Sequence, residues 1–192
     1  MTFLFDKNNH FNLANIVTFF NIASGVMAMY FLTHHEFFGA ALFAWLGGAF
    51  DIIDGKIARK YQLSTEFGIQ LDSYADFLSF VIVPVMFIYF GVIDGKEEFL
   101  NMIVITVAII FYIISGLRRL IQFNIDADVG EVGKFFVGIP TPLGAILLWL
   151  VYLSFSYNVI PTFFEISPEY VVIGFMVLIA YMLNSKIKIR HL

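Results

Sequence analysis

The chain has 192 residues, of which 60% are hydrophobic and 14% charged, and its formal net charge is −4. Soluble domains are about half apolar and a quarter charged, so this composition argues against a soluble protein and indicates a membrane protein. The absence of cysteine excludes disulfides and thiolate metal sites. The N-terminal sequence MTFLFDKNNHFN lacks the features of a secretory signal, so we expect it to belong to the mature chain.

Six stretches are apolar and long enough to be predicted as membrane-spanning helices. They cover residues 13–33, 37–58, 66–91, 98–117, 138–157 and 169–185. Polar or turn-forming segments separate them, and the sequence shows no internal repeat. Residues 1–192 are therefore predicted to form a single transmembrane domain of the all-α class.

The basic residues predict how these spans are oriented. An even number of spans places both termini on one side of the membrane. With the N-terminus inside, ten of the eleven Lys and Arg residues fall on the inner side, and only Lys96 falls outside. Because basic residues concentrate in cytoplasmic loops, both termini are predicted to be cytoplasmic.

Two pairs of aspartates interrupt the apolar pattern at the inner ends of the second and third spans. Asp51 and Asp54 are three residues apart, and Asp72 and Asp76 are four apart, so each pair shares a helix face. The short turn between the helices makes them antiparallel neighbours, and all four carboxylates are expected to converge. One aspartate near a helix end would be interpreted as solvated or paired with a lysine. Four at this spacing repel one another unless cations lie between them.

The chemistry of this cluster favours a hard metal. Carboxylate oxygens suit Mg²⁺ or Mn²⁺, and four carboxylates are enough to hold two such ions about 4 Å apart, an arrangement that serves phosphoryl transfer. A cation transporter would also use buried carboxylates. A transporter needs them along a path across the bilayer, however, whereas all four lie at one end of the predicted spans.

Small residues next to the aspartates indicate room for a bulky ligand. Gly55, Ala58 and Gly68 remove side chains beside the carboxylates, and Arg59 supplies a cation suited to a phosphate. On their own, the small residues would be explained equally well by close helix packing. Beside a predicted metal cluster they favour a nucleotide diphosphate.

The spacing of these residues resembles a known signature. It reads aspartate, two residues, aspartate-glycine, two residues, alanine-arginine, eight residues, glycine, three residues, aspartate, three residues, aspartate. This pattern is similar to that of the CDP-alcohol phosphotransferases, and its fixed positions are filled by Asp51, Asp54, Gly55, Ala58, Arg59, Gly68, Asp72 and Asp76. The resemblance implies a catalytic bundle of six transmembrane helices. It also implies transfer of the lipid-phosphate unit of a CDP-linked lipid to an alcohol, with release of CMP.

The resemblance also implies roles for single residues. Asp51, Asp54 and Asp72 would hold one divalent ion, and Asp51, Asp72 and Asp76 a second, with Asp76 also acting as the general base on the acceptor hydroxyl. The implied CDP-lipid contacts are Asn15, Thr18, Gly55, Ala58, Arg59, Thr65 and Gly68. For the stretch NLANIVT around Asn15, a helix N-cap by Asn12 or Asn15 is an equally good interpretation.

Three later stretches, LDSYADFLSFVIVP, SGLRRLIQFN and KFFVGIPTP, resemble the phosphatidylserine synthase branch of that family. The branch implies L-serine as the acceptor, and the candidate contacts are Arg118, Arg119, Asn124, Lys134 and Thr141. The branch usually has a second arginine where this chain has Gln122, which leaves open which of Arg118 and Arg119 meets the serine. Anchoring at anionic headgroups is the alternative role for the cations.

The sequence therefore predicts a multi-pass enzyme of the cell membrane, with its active site at the cytoplasmic face, that produces a phosphatidylserine-type lipid and CMP. The donor could be ester-linked CDP-diacylglycerol or its ether-linked archaeal analogue. Glycerol 3-phosphate or an inositol phosphate is the alternative acceptor, although its phosphate would demand more cations near the site. The family further implies a homodimer.

Overall fold

A computed structural model of the chain describes residues 3–95, 99–128, 135–159, 167–185 and 188–190. Its α-helices are α1 (Leu13–Thr33), α2 (Phe37–Lys60), α3 (Glu66–Asp76), α4 (Val83–Ile88), α5 (Phe99–Asp128), α6 (Thr141–Ser156) and α7 (Pro168–Leu183). A 3₁₀ turn at Phe3–Phe5 precedes them, and π-helical segments at Phe77–Ile82 and Tyr89–Ile93 flank α4. Two short strands, β1 (Phe135–Val137) and β2 (Lys188–Arg190), pair antiparallel with Phe135 opposite Arg190.

Four helical runs among the described residues are long and apolar enough to cross a membrane. They are Leu13–Thr33, Phe37–Lys60, Glu66–Ile93 and Met102–Ile125. Helices α6 and α7 are apolar but have only 16 residues each. Large apolar side chains such as Phe38 and Trp45 are exposed on the outer faces of the helices, which suits lipid better than water. The fold is that of a helical integral membrane protein, while the count of six spans and the cytoplasmic termini stay predictions.

The predicted and observed helix bounds differ most at the fourth span. The prediction ended this span at residue 117, before the two arginines, but α5 continues to Asp128. Residues 118–128 contain neither glycine nor proline, and arginine, leucine and glutamine all favour helix. The charges of the two arginines therefore do not end the helix. Residues 118–128, which were predicted to be a loop, continue α5.

The first compact unit of the chain ends at Ser79 and contains α1, α2 and α3. Short turns at 34–36 and 61–65 make these helices antiparallel neighbours in sequence order, so the start of α1, the end of α2 and the start of α3 lie at one end. Two caps define that end. The Asn12 side chain accepts a hydrogen bond from the Asn15 backbone N–H at 3.0 Å, and the Thr65 hydroxyl accepts one from the Gly68 N–H at 3.0 Å.

The second compact unit begins at Phe80 and is organised around α7, which packs against both α5 and α6. Its core contains the buried side chains of Tyr112, Leu148 and Met176. Before α6, Gly138 adopts a φ of +81°, and the Ile139 N–H donates to the Met182 carbonyl at 3.3 Å. The chain leading into α6 is thus fixed against the C-terminal end of α7.

Candidate active site

Three carboxylates meet where α2 and α3 approach each other. Oxygens of Asp51 on α2 and of Asp72 and Asp76 on α3 lie within 4.8 Å of one another. We call these three residues the aspartate cluster. The Oδ1 atom of Asp76 is buried and has no hydrogen-bond partner among the described residues. A negatively charged, all-oxygen donor set with an unpaired acceptor fits a hard divalent cation such as Mg²⁺ or Mn²⁺.

Asp54 is not one of the three carboxylates that meet within 4.8 Å. Its side chain is buried, and its Oδ2 accepts a hydrogen bond from the Thr18 hydroxyl of α1 at 2.7 Å. Residues three apart on an α-helix differ in direction by about 60°, so Asp54 faces α1 while Asp51 faces α3. The structure thus brings three of the four predicted ligands together, and the metal role of Asp54 stays a prediction.

A cavity of about 170 Å³ adjoins the carboxylates and is bordered by both Asp54 and Asp72. All the residues predicted to contact a CDP-lipid line it, namely Asn15, Thr18, Gly55, Ala58, Arg59, Thr65 and Gly68. Leu63 and Ser64, in the turn before α3, also line the cavity and were not predicted. Neither residue type carries a charge or belongs to the spaced pattern, so the sequence offered no signal for them.

Two glycines make space for polar groups of this cavity. A Cβ atom added to Gly68 would lie 2.9 Å from Asn15 Oδ1 and 3.3 Å from Thr65 Oγ1. One added to Gly55 would lie 3.4 Å from the Arg59 guanidinium. Because glycine has no side chain, the Asn15 amide and the Thr65 hydroxyl lie directly against the backbone at Gly68, and the Arg59 guanidinium lies against the backbone at Gly55.

The structure separates the capping role from the lining role in the first helix. Asn12 is the residue that caps α1, whereas the Asn15 side chain donates to the His10 carbonyl at 3.0 Å and turns its oxygen towards Gly68. Thr65 has both roles, since it caps α3 and also lines the cavity. Contact of either residue with a nucleotide stays a prediction.

A second cavity of about 500 Å³, lined mostly by polar and charged residues, shares Thr65 with the first. The N-terminal residues 7–10 form one wall, and the first turn of α3 forms the other. The His10 ring packs edge-on against Phe67 with a centroid distance of 4.4 Å, which fixes the N-terminal segment beside α3. Nothing in the residue pattern of this segment had indicated that it would lie beside the site.

The two arginines predicted for the acceptor differ in their surroundings. Arg119 on α5 is buried, and its Nε donates to the Ile139 carbonyl at 3.2 Å. Arg118 is exposed, and its Nη1 donates to Asn184 Oδ1 at 2.6 Å. Arg119 therefore helps to hold the backbone that precedes α6, and Arg118 is tied to the end of α7.

The other predicted acceptor residues are placed in part. Thr141 is buried at the first position of α6, and Asn124 is half-buried on α5. Lys134 lies outside the described residues. These positions leave the acceptor assignment as a prediction.

Comparison with known proteins agrees with the pattern of the site. The sequence profile of the CDP-alcohol phosphatidyltransferase family matches residues 11–184. CDP-diacylglycerol–serine O-phosphatidyltransferase of Bacillus subtilis is 34% identical over 92% of this chain and 88% of its own length. The Helicobacter pylori J99 protein of the same name is 31% identical over 91% of this chain and 70% of its own length. Archaetidylserine synthase of Methanothermobacter thermautotrophicus is 27% identical over 86% of this chain and 66% of its own length. The chain belongs to the CDP-alcohol phosphatidyltransferase family.

Proposed function

We propose that this protein transfers the phosphatidyl unit of a CDP-linked lipid to the hydroxyl of L-serine, giving a phosphatidylserine-type lipid and CMP. The observation that carries the proposal is the aspartate cluster, three carboxylates within 4.8 Å of one another, beside a cavity lined by Arg59, Gly55 and Gly68. The names of the bacterial and archaeal relatives support serine as the acceptor.

Two divalent cations, Mg²⁺ or Mn²⁺, belong to this proposal. Asp51, Asp54 and Asp72 would hold one, and Asp51, Asp72 and Asp76 the other. When bound, such ions neutralise the diphosphate of the donor and the charge that develops on departing CMP. The Thr18 hydroxyl fixes one oxygen of Asp54 beside the cavity.

Asp76 is proposed as the general base. Its buried, unpartnered Oδ1 can accept the proton of the serine hydroxyl as the serine oxygen attacks the lipid-side phosphorus. A new oxygen–phosphorus bond forms to serine, and the bond from that phosphorus to the CMP oxygen breaks. The proton resides on Asp76, and the electron pair of the broken bond leaves with CMP.

The cavity beside the cluster is proposed to take the diphosphate of the donor. Arg59 offers a planar cation for a phosphate, and the bare backbones at Gly55 and Gly68 admit the group closely. Ligand sites commonly measure roughly 300 Å³ or more, so a complete nucleotide needs more than the 170 Å³ of this cavity. The adjoining cavity at Thr65 supplies that room.

The acceptor is proposed to contact Arg118, Arg119, Asn124, Lys134 and Thr141. The arginine or lysine side chains would pair with the carboxylate of serine. The side-chain oxygens of Asn124 and Thr141 can accept hydrogen bonds from the ammonium group of serine. Both substrates would react at the cytoplasmic face of the cell membrane, in a single catalytic domain that forms a homodimer. The concentration of basic residues on the predicted inner side supports this orientation.

Release of CMP with different acceptors tests the proposal. Purified protein in lipid nanodiscs would receive CDP-diacylglycerol or its ether-linked analogue, Mn²⁺ or Mg²⁺, and one acceptor at a time. Serine should give CMP, and glycerol 3-phosphate and inositol phosphate should give none above background. CMP release with a phosphorylated acceptor but not with serine would overturn the acceptor, and cation flux without CMP from any alcohol would overturn the enzyme.

A further inference from the structure

A buried hydrogen bond joins α1 to α2 at the candidate active site. The Thr18 hydroxyl donates to Asp54 Oδ2 at 2.7 Å, and each of the two residues is only 4% exposed. The Ala14 carbonyl, one turn earlier in α1, is also within reach of this hydroxyl, at 3.2 Å. A hydroxyl has a single hydrogen to donate, and the carboxylate is both the nearer and the stronger acceptor. The hydrogen of Thr18 is therefore used for Asp54.

This pair lies at the deep end of the 170 Å³ cavity. The start of α1, the end of α2 and the start of α3 lie at one end of the first compact unit. Among the residues that line the cavity, those furthest from that end on the three helices are Thr18, Asp54 and Asp72, respectively. Asp72 belongs to the aspartate cluster. Thr18 therefore holds Asp54 at the same end of the cavity as a carboxylate of the cluster.

The chemistry of the hydrogen bond suits orientation rather than charge neutralisation. Among the described residues, the side chain that donates to Asp54 is a neutral hydroxyl, and no lysine or arginine forms an ion pair with this carboxylate. A carboxylate buried in a membrane-spanning helix is costly unless a positive charge compensates it. A hydroxyl fixes the direction of the carboxylate but supplies no such charge. The compensating charge would come from a cation bound in the cavity.

We propose that Thr18 is a positioning residue, which fixes the Asp54 carboxylate for the divalent cation that Asp54 would share with Asp72. The inference rests on the proposed function, in which both aspartates hold one ion, and it gives Thr18 a role other than contact with the CDP-lipid. Two explanations compete with it. The hydrogen bond could serve only to join two membrane helices, or the Thr18 hydroxyl could contact the donor directly.

Mn²⁺ binding without CDP-lipid separates these explanations and does not depend on turnover. Free Mn²⁺ would be measured by electron paramagnetic resonance during titration of wild type, Thr18→Val, which keeps the shape but loses the hydroxyl, and Thr18→Ser, which keeps the hydroxyl. The control is Ser79→Ala, which removes another buried hydroxyl, the donor to Asn21 Oδ1 at 2.6 Å. Loss of a residue that orients a metal ligand typically weakens metal binding about 10–100-fold. We expect Thr18→Val to raise the Mn²⁺ dissociation constant at least about tenfold, and Thr18→Ser and Ser79→Ala to bind like wild type.

A double-mutant cycle tests whether Thr18 acts through Asp54. Asp54→Asn is expected to weaken Mn²⁺ binding by itself, because it removes the proposed ligand. Adding Thr18→Val to Asp54→Asn should then change the dissociation constant no further, since the carboxylate that Thr18 orients is already gone. A further weakening of the same size as in the wild-type background would overturn the positioning role.

An unchanged Mn²⁺ dissociation constant in Thr18→Val would also overturn the inference. A lower melting temperature of that variant would then identify a packing contact, and a raised KM for the CDP-lipid would identify a donor contact. If Thr18→Val does not fold, Thr18→Ala takes its place with the same expectation. Wild-type Mn²⁺ affinity in Asp54→Asn, or no Mn²⁺ binding by the wild type, would overturn the proposed metal site itself, and both results are obtained without any Thr18 variant.

Discussion

At the scale of single residues, the cavity depends on its glycines as much as on its larger residues. The Gly68 backbone N–H is bound by Thr65, and its Cα faces the oxygen of Asn15. The Asn15 amide is in turn fixed by the His10 carbonyl, so it cannot move aside without losing that bond. A methyl group at position 68 would therefore displace the Asn15 side chain and narrow the cavity.

Replacing Gly68 by alanine tests this expectation. The new methyl group would approach Asn15 Oδ1 to 2.9 Å. Crowding of this kind costs about 1–3 kcal/mol, while alanine in a helix recovers up to about 1 kcal/mol. We expect KM for the CDP-lipid to rise about tenfold, equivalent to about 1.4 kcal/mol, with a melting temperature lowered by no more than a few degrees.

A matched control is Gly174→Ala on α7, where an added Cβ meets nothing within 4 Å. This variant should retain the wild-type KM. Equal KM values for Gly68→Ala and wild type would show that the CDP-lipid does not bind next to Gly68 in the cavity. A large fall in melting temperature for Gly68→Ala would show instead that the glycine serves packing.

The residues of the aspartate cluster also show what a spacing can predict. Helical periodicity was enough to predict that Asp72 and Asp76 share a face and meet Asp51. It did not predict that Asp54 would turn to Thr18, because that depends on which neighbouring helix offers a donor. The buried hydrogen bond from Ser79 Oγ to Asn21 Oδ1 was not predicted either, since isolated polar residues inside apolar helices have no recurring spacing.

At the scale of elements, the approach to α6 is fixed by close backbone contacts with the end of α7 and by one side chain, that of Arg119. Gly138 has a φ of +81°, and an added Cβ would lie 2.6 Å from the Leu183 carbonyl oxygen and 3.0 Å from that of Ser185. Backbone atoms at the end of α7 cannot rotate away as a side chain can. Arg119, predicted for the acceptor, binds the adjacent Ile139 carbonyl.

We expect Gly138→Ala to destabilise the protein by more than the strain of placing alanine at a positive φ, because the added Cβ also clashes with backbone atoms. A left-handed residue with a Cβ costs about 1–2 kcal/mol, and the clash adds about 1–3 kcal/mol. Gly95→Ala is the matched control, because Gly95 has a φ of +78° with nothing within 4 Å of an added Cβ. Thermal unfolding in nanodiscs would compare the two. Equal melting temperatures for these variants would contradict the close approach of the two segments.

The helix bounds lie within three residues of the predicted spans except at the end of α5. Asn12 and Thr65 provide caps that a sequence can reveal, so the starts of α1 and α3 agree with the predicted spans. The extension of α5 to Asp128 and the π-helical segments around α4 depend on tertiary packing. Composition contains no comparable signal for them.

At the scale of the whole molecule, the prediction that remains to be measured is orientation. The chain has no cysteine, so single cysteines can be introduced without removing any native thiol. Tyr61, in the turn before α3, and Glu36, in the turn before α2, are both exposed. The positive-inside pattern places the turn with Tyr61 in the cytoplasm and the turn with Glu36 outside.

A membrane-impermeant maleimide would therefore label Glu36→Cys in intact cells and Tyr61→Cys only in inverted membrane vesicles. Activity of each variant on CDP-lipid would verify that the fold is retained. The reverse labelling pattern would place the aspartate cluster at the outer face and contradict the proposed orientation.

Asp76 and its neighbours are proposed to catalyse transfer from a CDP-lipid to serine. Incorporation of radiolabelled serine into lipid would be measured for purified wild type and Asp76→Asn, with Glu36→Gln, an exposed carboxylate at the opposite end of α2, as the matched control. We expect one labelled lipid per CMP released by wild type and Glu36→Gln, and a loss of at least about 10²–10³-fold in Asp76→Asn because the base is gone. Unchanged incorporation by Asp76→Asn, or no labelled lipid from wild type, would contradict it.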